Sequence, residues 1–370
     1  MRTTEIDLIT AEKWDGQSRV FGIGRYIREI FSRYPSYGVK INSINLGQIA
    51  PSKIKHFRTY FELPIRAALS VRAKVIHIPS QTLAFLLLLP IFRQKKTVLT
   101  VYDIAPFIRK GEISLIKGAI ASLNAKGILK ADGIVAISDY TKQELISQLG
   151  IDSSKIAIAY PAVDHSAYKK RKASPAFKKK YGMNPHLPIV LYVGSEEPRQ
   201  NLLTLIKALS SLKKKGVHFQ FVKVGSPAWP NGREQFITQL KSHGIFDDTK
   251  IIGYVDEADL PGIYCAARVF AYPCEYTGFG LPPLEAMACG VPVVTSNASS
   301  LPEVVGKAGI MVSPHDAAKF ASSISSLLNS KALWKKYSRL GEMQSKKFSW
   351  GAGAKQTVAL YKRLVLNLPK

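Results

Sequence analysis

Short apolar runs alternate with amphipathic stretches along almost the whole chain. In the first half, Ile6–Ile9, Val75–Ile78, Val98–Val101, Ile134–Ile137 and Ile156–Ala159 are brief and rich in β-branched residues. Runs of this length fit strands buried on both faces. Between them, FGIGRYIREIF over Phe21–Phe31 places Ile23, Tyr26, Ile27 and Ile30 at i, i+3, i+4 and i+7, one face of a helix. Ser138 is placed to cap a helix over Tyr140–Leu149, and Gly150 to end it. The second half repeats the pattern. Strands are predicted over Pro188–Val193, Phe219–Val224, Val269–Tyr272, Pro292–Thr295 and Gly309–Val312, with a short apolar run at Ile251–Tyr254. Helices are predicted over Asn201–Leu212, Leu260–Ala267, Pro283–Cys289, Asp316–Leu328, Ala332–Phe348 and Gly353–Leu366. Such alternation predicts parallel βαβ units in two doubly wound α/β halves, with no solenoid repeat.

Length supports two halves: 370 residues suit two domains at about 100–200 residues each. The stretch YKKRKASPAFKKKYG, residues 168–182, carries seven Lys or Arg and marks a linker followed by the first surface helix of the second domain. It reads as a solvated charge run, or as a segment that meets acidic lipid. The run LAFLLLLPIF over Leu83–Phe92 is too short to span a bilayer and contains Pro90, so it reads as a buried segment. A shallow membrane-dipping segment is the lesser alternative.

Charge changes the picture. Lys plus Arg exceed Asp plus Glu by 26, which favours an anionic partner such as acidic lipid or a phosphorylated substrate. Nucleic acid is the weaker candidate, because no helix-turn-helix, zinc-finger or RNA-binding aromatic signature is present. Cys265, Cys274 and Cys289 lack metal-ligand spacing and fit a reducing compartment. The first residues lack an apolar core of signal-peptide length. A cytoplasmic protein, peripheral on the inner face of the cell membrane, is the expectation.

The densest chemistry lies in YPCEYTGFGLPPLEAMACG, Tyr272–Gly290. A strand ends, a Gly-Phe-Gly turn follows, and a helix begins. Glycines admit a ligand close to the backbone, and helix N-terminal amides favour a phosphate. Ligands of open α/β sheets bind outside the carboxyl ends of the strands. Glu285, early in the helix, is placed to accept hydrogen bonds from a ribose diol.

Residues 253–314, GYVDEADLPGIYCAARVFAYPCEYTGFGLPPLEAMACGVPVVTSNASSLPEVVGKAGIMVSP, closely resemble the donor-binding region of retaining glycosyltransferase family 4. LYVGSEEPRQNLLTLIKAL (191–209) resembles its phosphate-binding stretch; FGIGRYIREI, TVYDIAPF and IVAISDYTKQELI resemble its acceptor-domain signatures. The resemblance implies a GT-B fold: two Rossmann-like domains with parallel sheets facing a central cleft. The expected divisions are an acceptor domain over 1–170, a nucleotide-sugar domain over 171–348, and a helix over 349–370 crossing back to the first domain. It also implies a hexosyltransferase that retains anomeric configuration and uses a nucleotide-diphosphate sugar without metal or resident cofactor. The acceptor would be a glycolipid, lipid-linked glycan or polysaccharide.

Carried over position by position, Gly22 and Gly24 form a loop under diphosphate and acceptor, and Asp103 orients the acceptor or caps a helix. Arg199 neutralises phosphate beside Gln200. Tyr254 and Val255 line the nucleobase by main-chain contacts. Gly278, Phe279, Gly280 and Leu281 surround the donor sugar and diphosphate. Glu285 holds the ribose. Glu303 and His77 are read as structural. Three positions depart from the family pattern: Thr277 stands where a Glu is usual, Gln200 where a Lys is usual, and Tyr102 where a His is usual. Thr277 and Tyr102 are retained as catalytic candidates through their hydroxyls. The departures also motivate an alternative: a weak or inactive nucleotide-sugar-binding homologue that partners an active transferase.

Overall fold

The computed structural model describes residues 4–11, 22–45, 58–105, 115–227 and 230–366. The chain divides into two compact units, Met1–Pro161 with Ser349–Lys370, and Ala162–Phe348. The division therefore falls after Pro161, and the basic stretch at 168–182 lies wholly in the second unit.

In the first unit, strands β1 (Thr4–Thr10), β2 (Val39–Asn45), β3 (Val75–Ile78), β4 (Lys96–Val101), β5 (Gly133–Ala136) and β6 (Ile156–Ile158) form one parallel sheet in the order β2-β1-β3-β4-β5-β6. Its helices include α1 (Gly22–Phe31), α2 (Leu63–Ser70), α3 (Leu115–Lys130) and α4 (Asp139–Leu149). Ser138 caps α4 by accepting from the Thr141 amide at 2.9 Å, and Gly150 ends it in the left-handed conformation at φ 65°. On α1, Tyr26, Ile30 and Phe31 face the core, whereas Ile23 of the expected stripe is 43% exposed. Leu83–Phe92 is neither a regular α-helix nor a strand. It makes two stretches of tight 3₁₀ turns, Gln81–Leu88 and Pro90–Gln94, that bury Leu83, Leu86, Leu87 and Phe92. The C-terminal helix, Trp350–Leu366, belongs to this unit; Trp350 packs edge-on against Tyr26 at 5.9 Å.

The second unit holds β7 (Ile189–Val193), β8 (Gln220–Val224), β9 (Thr249–Ile252), β10 (Val269–Tyr272), β11 (Val293–Ser296) and β12 (Ile310–Val312). Their order is β12-β11-β10-β7-β8-β9, again all parallel. The helices are α5 (Pro175–Lys180), α6 (Leu202–Lys214), α7 (Gly232–Ser242), α8 (Leu260–Ala266), α9 (Leu281–Ala288), α10 (Leu301–Val305), α11 (Ala317–Asn329) and α12 (Lys331–Ser345). The basic stretch is partly tied down. Lys170 reaches Ser338 at 2.9 Å and Glu342 at 3.2 Å, and Lys180 pairs with Asp259 at 2.6 Å.

Strand order fixes where a ligand can sit. In the second sheet the chain runs β7, β8, β9 outward one way, then returns to β10 on the other side of β7. The connections after β7 and β10 therefore leave in opposite directions and open a crevice at their carboxyl ends. In the first sheet the same reversal lies between β1 and β3.

Candidate active site

Two sequence-predicted segments meet at the β7/β10 reversal. The connection after β7 runs Gly194–Asn201, and the connection after β10 runs Pro273–Gly280. The Glu275 amide donates to the Arg199 carbonyl at 2.9 Å, and Asn201 Nδ2 donates to the carbonyls of Pro273 (3.3 Å) and Pro314 (2.6 Å). Asn201 sits at φ 51°, a left-handed position that asparagine tolerates well, so it turns the chain into α6 while bracing its neighbour. Under the crevice, Tyr192 and Tyr272 stack at 5.8 Å with nearly parallel rings.

Arg199 is partly exposed, and Glu197 accepts from its Nε at 2.6 Å. At and just beyond the end of β10, burial raises the pKa of Tyr272 and of Cys274, and the Arg199 charge offsets part of that rise. Gln200 is placed differently from its predicted role. Its side chain is buried, and Tyr192 donates to its Oε1 at 2.9 Å. A group held in this way braces the loop from below and does not replace the lysine usual at this position. Arg199 is the cation that this loop offers.

The glycine turn is held by residues that local spacing did not point to. The Thr277 amide donates to Ser299 Oγ at 3.0 Å, and Ser300 Oγ lies within hydrogen-bond reach of the carbonyls of Thr277 (2.9 Å) and Phe279 (2.8 Å). Both serines follow β11, at the same edge of the sheet. Paired small hydroxyls just beyond a strand's carboxyl end are the only sequence signal they carry. Gly280 adopts φ 106°, a conformation that favours glycine; an added Cβ would also lie 2.8 Å from Leu301 Cδ2, which that side chain's end could move to relieve. The helix start is poorer in donors than the glycine pattern suggests. Pro282 and Pro283 have no N–H, and the Leu284 amide bonds the Gly280 carbonyl at 3.4 Å. An amide cradle at this site must therefore draw on Leu281 and on the Gly278–Gly280 turn.

Glu285 lies one turn into α9 and is buried. Tyr264 of α8 donates its hydroxyl to Glu285 Oε2 at 2.6 Å, which fixes the carboxylate's orientation. Burial, followed by the neighbouring Glu285 charge, pushes the Tyr264 hydroxyl well above the ordinary tyrosine pKa, so this proton stays on the oxygen. Tyr254 and Val255 follow β9 at the same carboxyl edge. The Gly225 amide, after β8, bonds back to the carbonyls of Ile252 (3.0 Å) and Gly253 (3.1 Å).

A charged cluster lies beneath the loop after β7. Lys223, fully buried in β8, pairs with buried Glu196 at 2.5 Å, and Arg233 reaches the same carboxylate oxygen at 2.6 Å. Lys223 and Arg233 also donate to the Gly225 carbonyl at 2.9 and 2.8 Å. Burial pushes the Lys223 ammonium down to about 8 even with this carboxylate beside it. The cluster pins Glu196, and with it the segment that carries Arg199.

In the first unit, Gly22 and Gly24 form the opening turn of α1. Among the described residues, no atom lies within 4 Å of a Cβ built on Gly22, so their packing does not require glycine there. Tyr26 of the same helix packs edge-on against Tyr102 at 5.4 Å, which brings the α1 start and the turn after β4 together. Gln81 clamps that turn: its Nε2 donates to the Asp103 carbonyl at 3.1 Å, and its Oε1 accepts from the Tyr102 amide at 3.2 Å. The Tyr102 hydroxyl does not suit the proton-handling role considered for it. It is buried with no hydrogen-bond partner among the described residues, and burial holds its pKa well above the ordinary value. His77 is structural, as its position at a strand end suggested. Its Nδ1 bonds the Tyr361 hydroxyl and its Nε2 bonds Thr100 Oγ1 at 2.8 Å. Tyr361 in turn reaches the Tyr34 hydroxyl at 3.2 Å.

Two family profiles match the chain. "Glycosyltransferase Family 4" covers residues 22–167, and "Glycosyl transferases group 1" covers residues 173–347. The chain belongs to the group 1, family 4 glycosyltransferases. Among curated relatives, the O-antigen chain mannosyltransferase B of Escherichia coli is 35% identical over 62% of this chain and 60% of its own length. The serotype-specific mannosyltransferase WbdA of Escherichia coli is 29% identical over 73% of this chain and 34% of its own length. The chain thus matches less than two thirds of either relative. Among solved structures, sucrose-phosphate synthase from Thermosynechococcus elongatus superposes with a TM-score of 0.79 at 20% identity, over 98% of this chain and 99% of that one. That likeness, with the two six-stranded parallel sheets, gives the fold as GT-B, each unit Rossmann-like. Among the described residues, no group of His, Cys, Asp and Glu is arranged to hold a metal ion, and no helix is long and apolar enough to cross a membrane.

Proposed function

We propose that this chain is a retaining hexosyltransferase of glycan assembly. It moves a sugar, mannose first among candidates, from a nucleoside-diphosphate donor to a lipid-linked or polysaccharide acceptor. The observation that carries this reading is the junction at the β7/β10 reversal, where the Arg199 loop is bonded to Pro273 and Glu275, at the start of the segment that runs through the Gly278–Gly280 turn to Glu285. Two mannosyltransferases among the relatives support the choice of sugar.

The chemistry follows from the groups present. Glu285, oriented by Tyr264, accepts from the donor's ribose. The diphosphate lies between the Arg199 guanidinium and the amides of Gly278, Phe279, Gly280 and Leu281, and Thr277 reaches a sugar hydroxyl. As the glycosidic bond to phosphate breaks, negative charge builds on the leaving diphosphate. Donors already fixed at that point stabilise the transition state more than the ground state. No metal is needed for this step. The first unit, with Gly22, Gly24 and Asp103, receives the acceptor.

A surface on the first unit supports an acceptor at an anionic membrane. Phe61, Ile65 and Leu69 are 60%, 60% and 78% exposed and follow each other at four-residue spacing. Ile65 and Leu69 lie on the side of α2 opposite the buried Leu63 and Ala67, beside Arg66, and Phe61 continues the row in the π-helical turn Arg58–Glu62 that leads into it. An outward apolar row flanked by arginine on a chain of charge +26 matches an acidic bilayer. Purified protein given nucleoside-diphosphate mannose and a polyprenyl-linked glycan should release nucleoside diphosphate, and flotation should recover it with phosphatidylglycerol vesicles. Donor binding without turnover across a broad acceptor panel would favour the inactive homologue that Thr277 and Gln200 bring to mind.

A further inference from the structure

Charge at the carboxyl edge of the second sheet is unevenly shared. Arg199 is matched by Glu197 at 2.6 Å, so that pair offers a ligand no net charge. The neighbouring cluster is unbalanced. Lys223 and Arg233 share one carboxylate oxygen of Glu196, at 2.5 and 2.6 Å, two cations against one anion. The Lys223 and Glu196 side chains are 0% and 1% exposed, whereas Arg233 is 25% exposed. The surplus charge therefore meets solvent through Arg233. Its Nε donates to Glu196 and its Nη2 to the Gly225 carbonyl, while Nη1 makes no hydrogen bond or ion pair among the described residues. Gly225 is where three strand ends meet. Its amide bonds the Ile252 and Gly253 carbonyls after β9, and a Cβ built on it would strike the Gly194 carbonyl after β7. Arg233 thus stands at the end of β8, between the Arg199 loop and the Tyr254–Val255 segment.

We propose that Arg233 is a second cation for the donor's diphosphate, its outward guanidinium edge taking phosphate oxygens while Glu196 and the Gly225 carbonyl hold the other edge. The assignment rests on the nucleotide-sugar site proposed above. A planar guanidinium pairs with phosphate through two parallel hydrogen bonds. A group already fixed by two partners loses little freedom when the ligand arrives. Lys223 stands behind it as the buried partner of Glu196, so the carboxylate does not consume the arginine's charge. Burial holds the Lys223 ammonium down to about 8, which still leaves it mostly charged at neutral pH. Gln200 is neutral and turned under the loop towards Tyr192, and Arg233 supplies from the next strand the charge that Gln200 lacks.

The test titrates the full chain calorimetrically with GDP, UDP and ADP and with the matching nucleosides. The wild type should bind at least one diphosphate more tightly than its nucleoside. Arg233→Gln should weaken that diphosphate about 10–100-fold, the worth of a charge-assisted hydrogen bond, and leave the nucleoside within about two-fold. Arg233→Lys keeps a cation beside Glu196 without the outward edge. It should hold the urea unfolding midpoint near that of the wild type without restoring diphosphate affinity, and it decides the matter alone if Arg233→Gln does not fold. Equal loss of nucleoside and diphosphate, full rescue by Arg233→Lys, or undiminished diphosphate affinity in Arg233→Gln would overturn the assignment. Arg199→Gln separates the two claims. Diphosphate weakened there but not in Arg233→Gln overturns Arg233 alone. No loss in either variant, or a wild type that binds no diphosphate, overturns the diphosphate site and the part of Arg233 with it.

Discussion

The two units build on one sheet plan with different polar interiors. Both are six-stranded parallel sheets with a strand-order reversal; the second buries a cluster of opposite charges under the loop after β7, whereas in the first the buried Asp7 carboxylate accepts from the backbone amides of Arg72 and Ala73 and a neutral network holds the C-terminal helix. Lys223, Glu196 and Arg233 lie beneath the loop that carries Arg199. His77, Tyr361, Tyr34 and Thr100 join the C-terminal helix to β3 and β4. A buried ion cluster is costly to desolvate and adds little net stability, but it tolerates little deviation from its geometry. That suits a loop that must hold a cation in place for a diphosphate. A neutral network costs less to bury, and it serves a unit whose task is to hold its own terminal helix. The surfaces differ too: the outward row Phe61, Ile65 and Leu69 has no counterpart in the second unit among the described residues.

Breaking the charged interior should have the largest effect. Lys223→Met leaves Glu196 buried with Arg233 alone, and removing one partner of a buried pair costs about 3–5 kcal/mol. Urea unfolding midpoints measure the loss, and hydrogen exchange should localise it to residues 194–201 and 220–225. Next comes Glu285→Gln, which preserves shape and the Tyr264 contact but removes the charge. Turnover should fall about 10²–10³-fold, the range seen when one preorganised stabilising group is lost, with the unfolding midpoint nearly unchanged.

The neutral network around His77 should respond less. Tyr361→Phe leaves His77 Nδ1 without its partner in a buried site, a loss of about 1–3 kcal/mol. It should loosen exchange in the C-terminal helix and leave donor binding intact. Acid acts on the same group. Burial lowers the folded pKa of His77 to about 3, against 6.5 unfolded. Between these values the unfolded chain binds the proton and the folded chain does not. Stability is therefore complete above pH 6.5 and falls as pH drops, by up to about 1.4 kcal/mol per unit. Unfolding midpoints at pH 7 and pH 5 should differ accordingly, and His77→Gln should flatten the dependence. Equal slopes in wild type and variant would remove His77 from the account.

Much of this architecture was legible because parallel strands buried on both faces leave plain apolar runs, and the caps at Ser138 and Gly150 act locally. β2 was missed because Val39–Asn45 alternates with Lys40, Asn42 and Ser43, as suits a sheet edge. α3 was missed because its exposed Leu123 and Leu129 blur any single apolar stripe. In the site, the glycine turn and Glu285 could be picked out from linear spacing, and Arg199 from the family resemblance. Ser299, Ser300, Tyr264 and Gln81 could not, since each acts through a contact distant along the chain. Gln200 and Tyr102 were read as facing a ligand because their positions match family positions that do; only packing reveals that Tyr192 holds one and that the other is sealed among aromatics.

The central claim is that a nucleoside-diphosphate sugar rests on the β7/β10 reversal. Hydrogen exchange with and without nucleoside-diphosphate mannose tests it most directly. The prediction is slowed exchange in two separate peptides, one spanning residues 194–201 and one spanning 274–285. Binding that protects neither segment, or slows exchange only elsewhere, would contradict it.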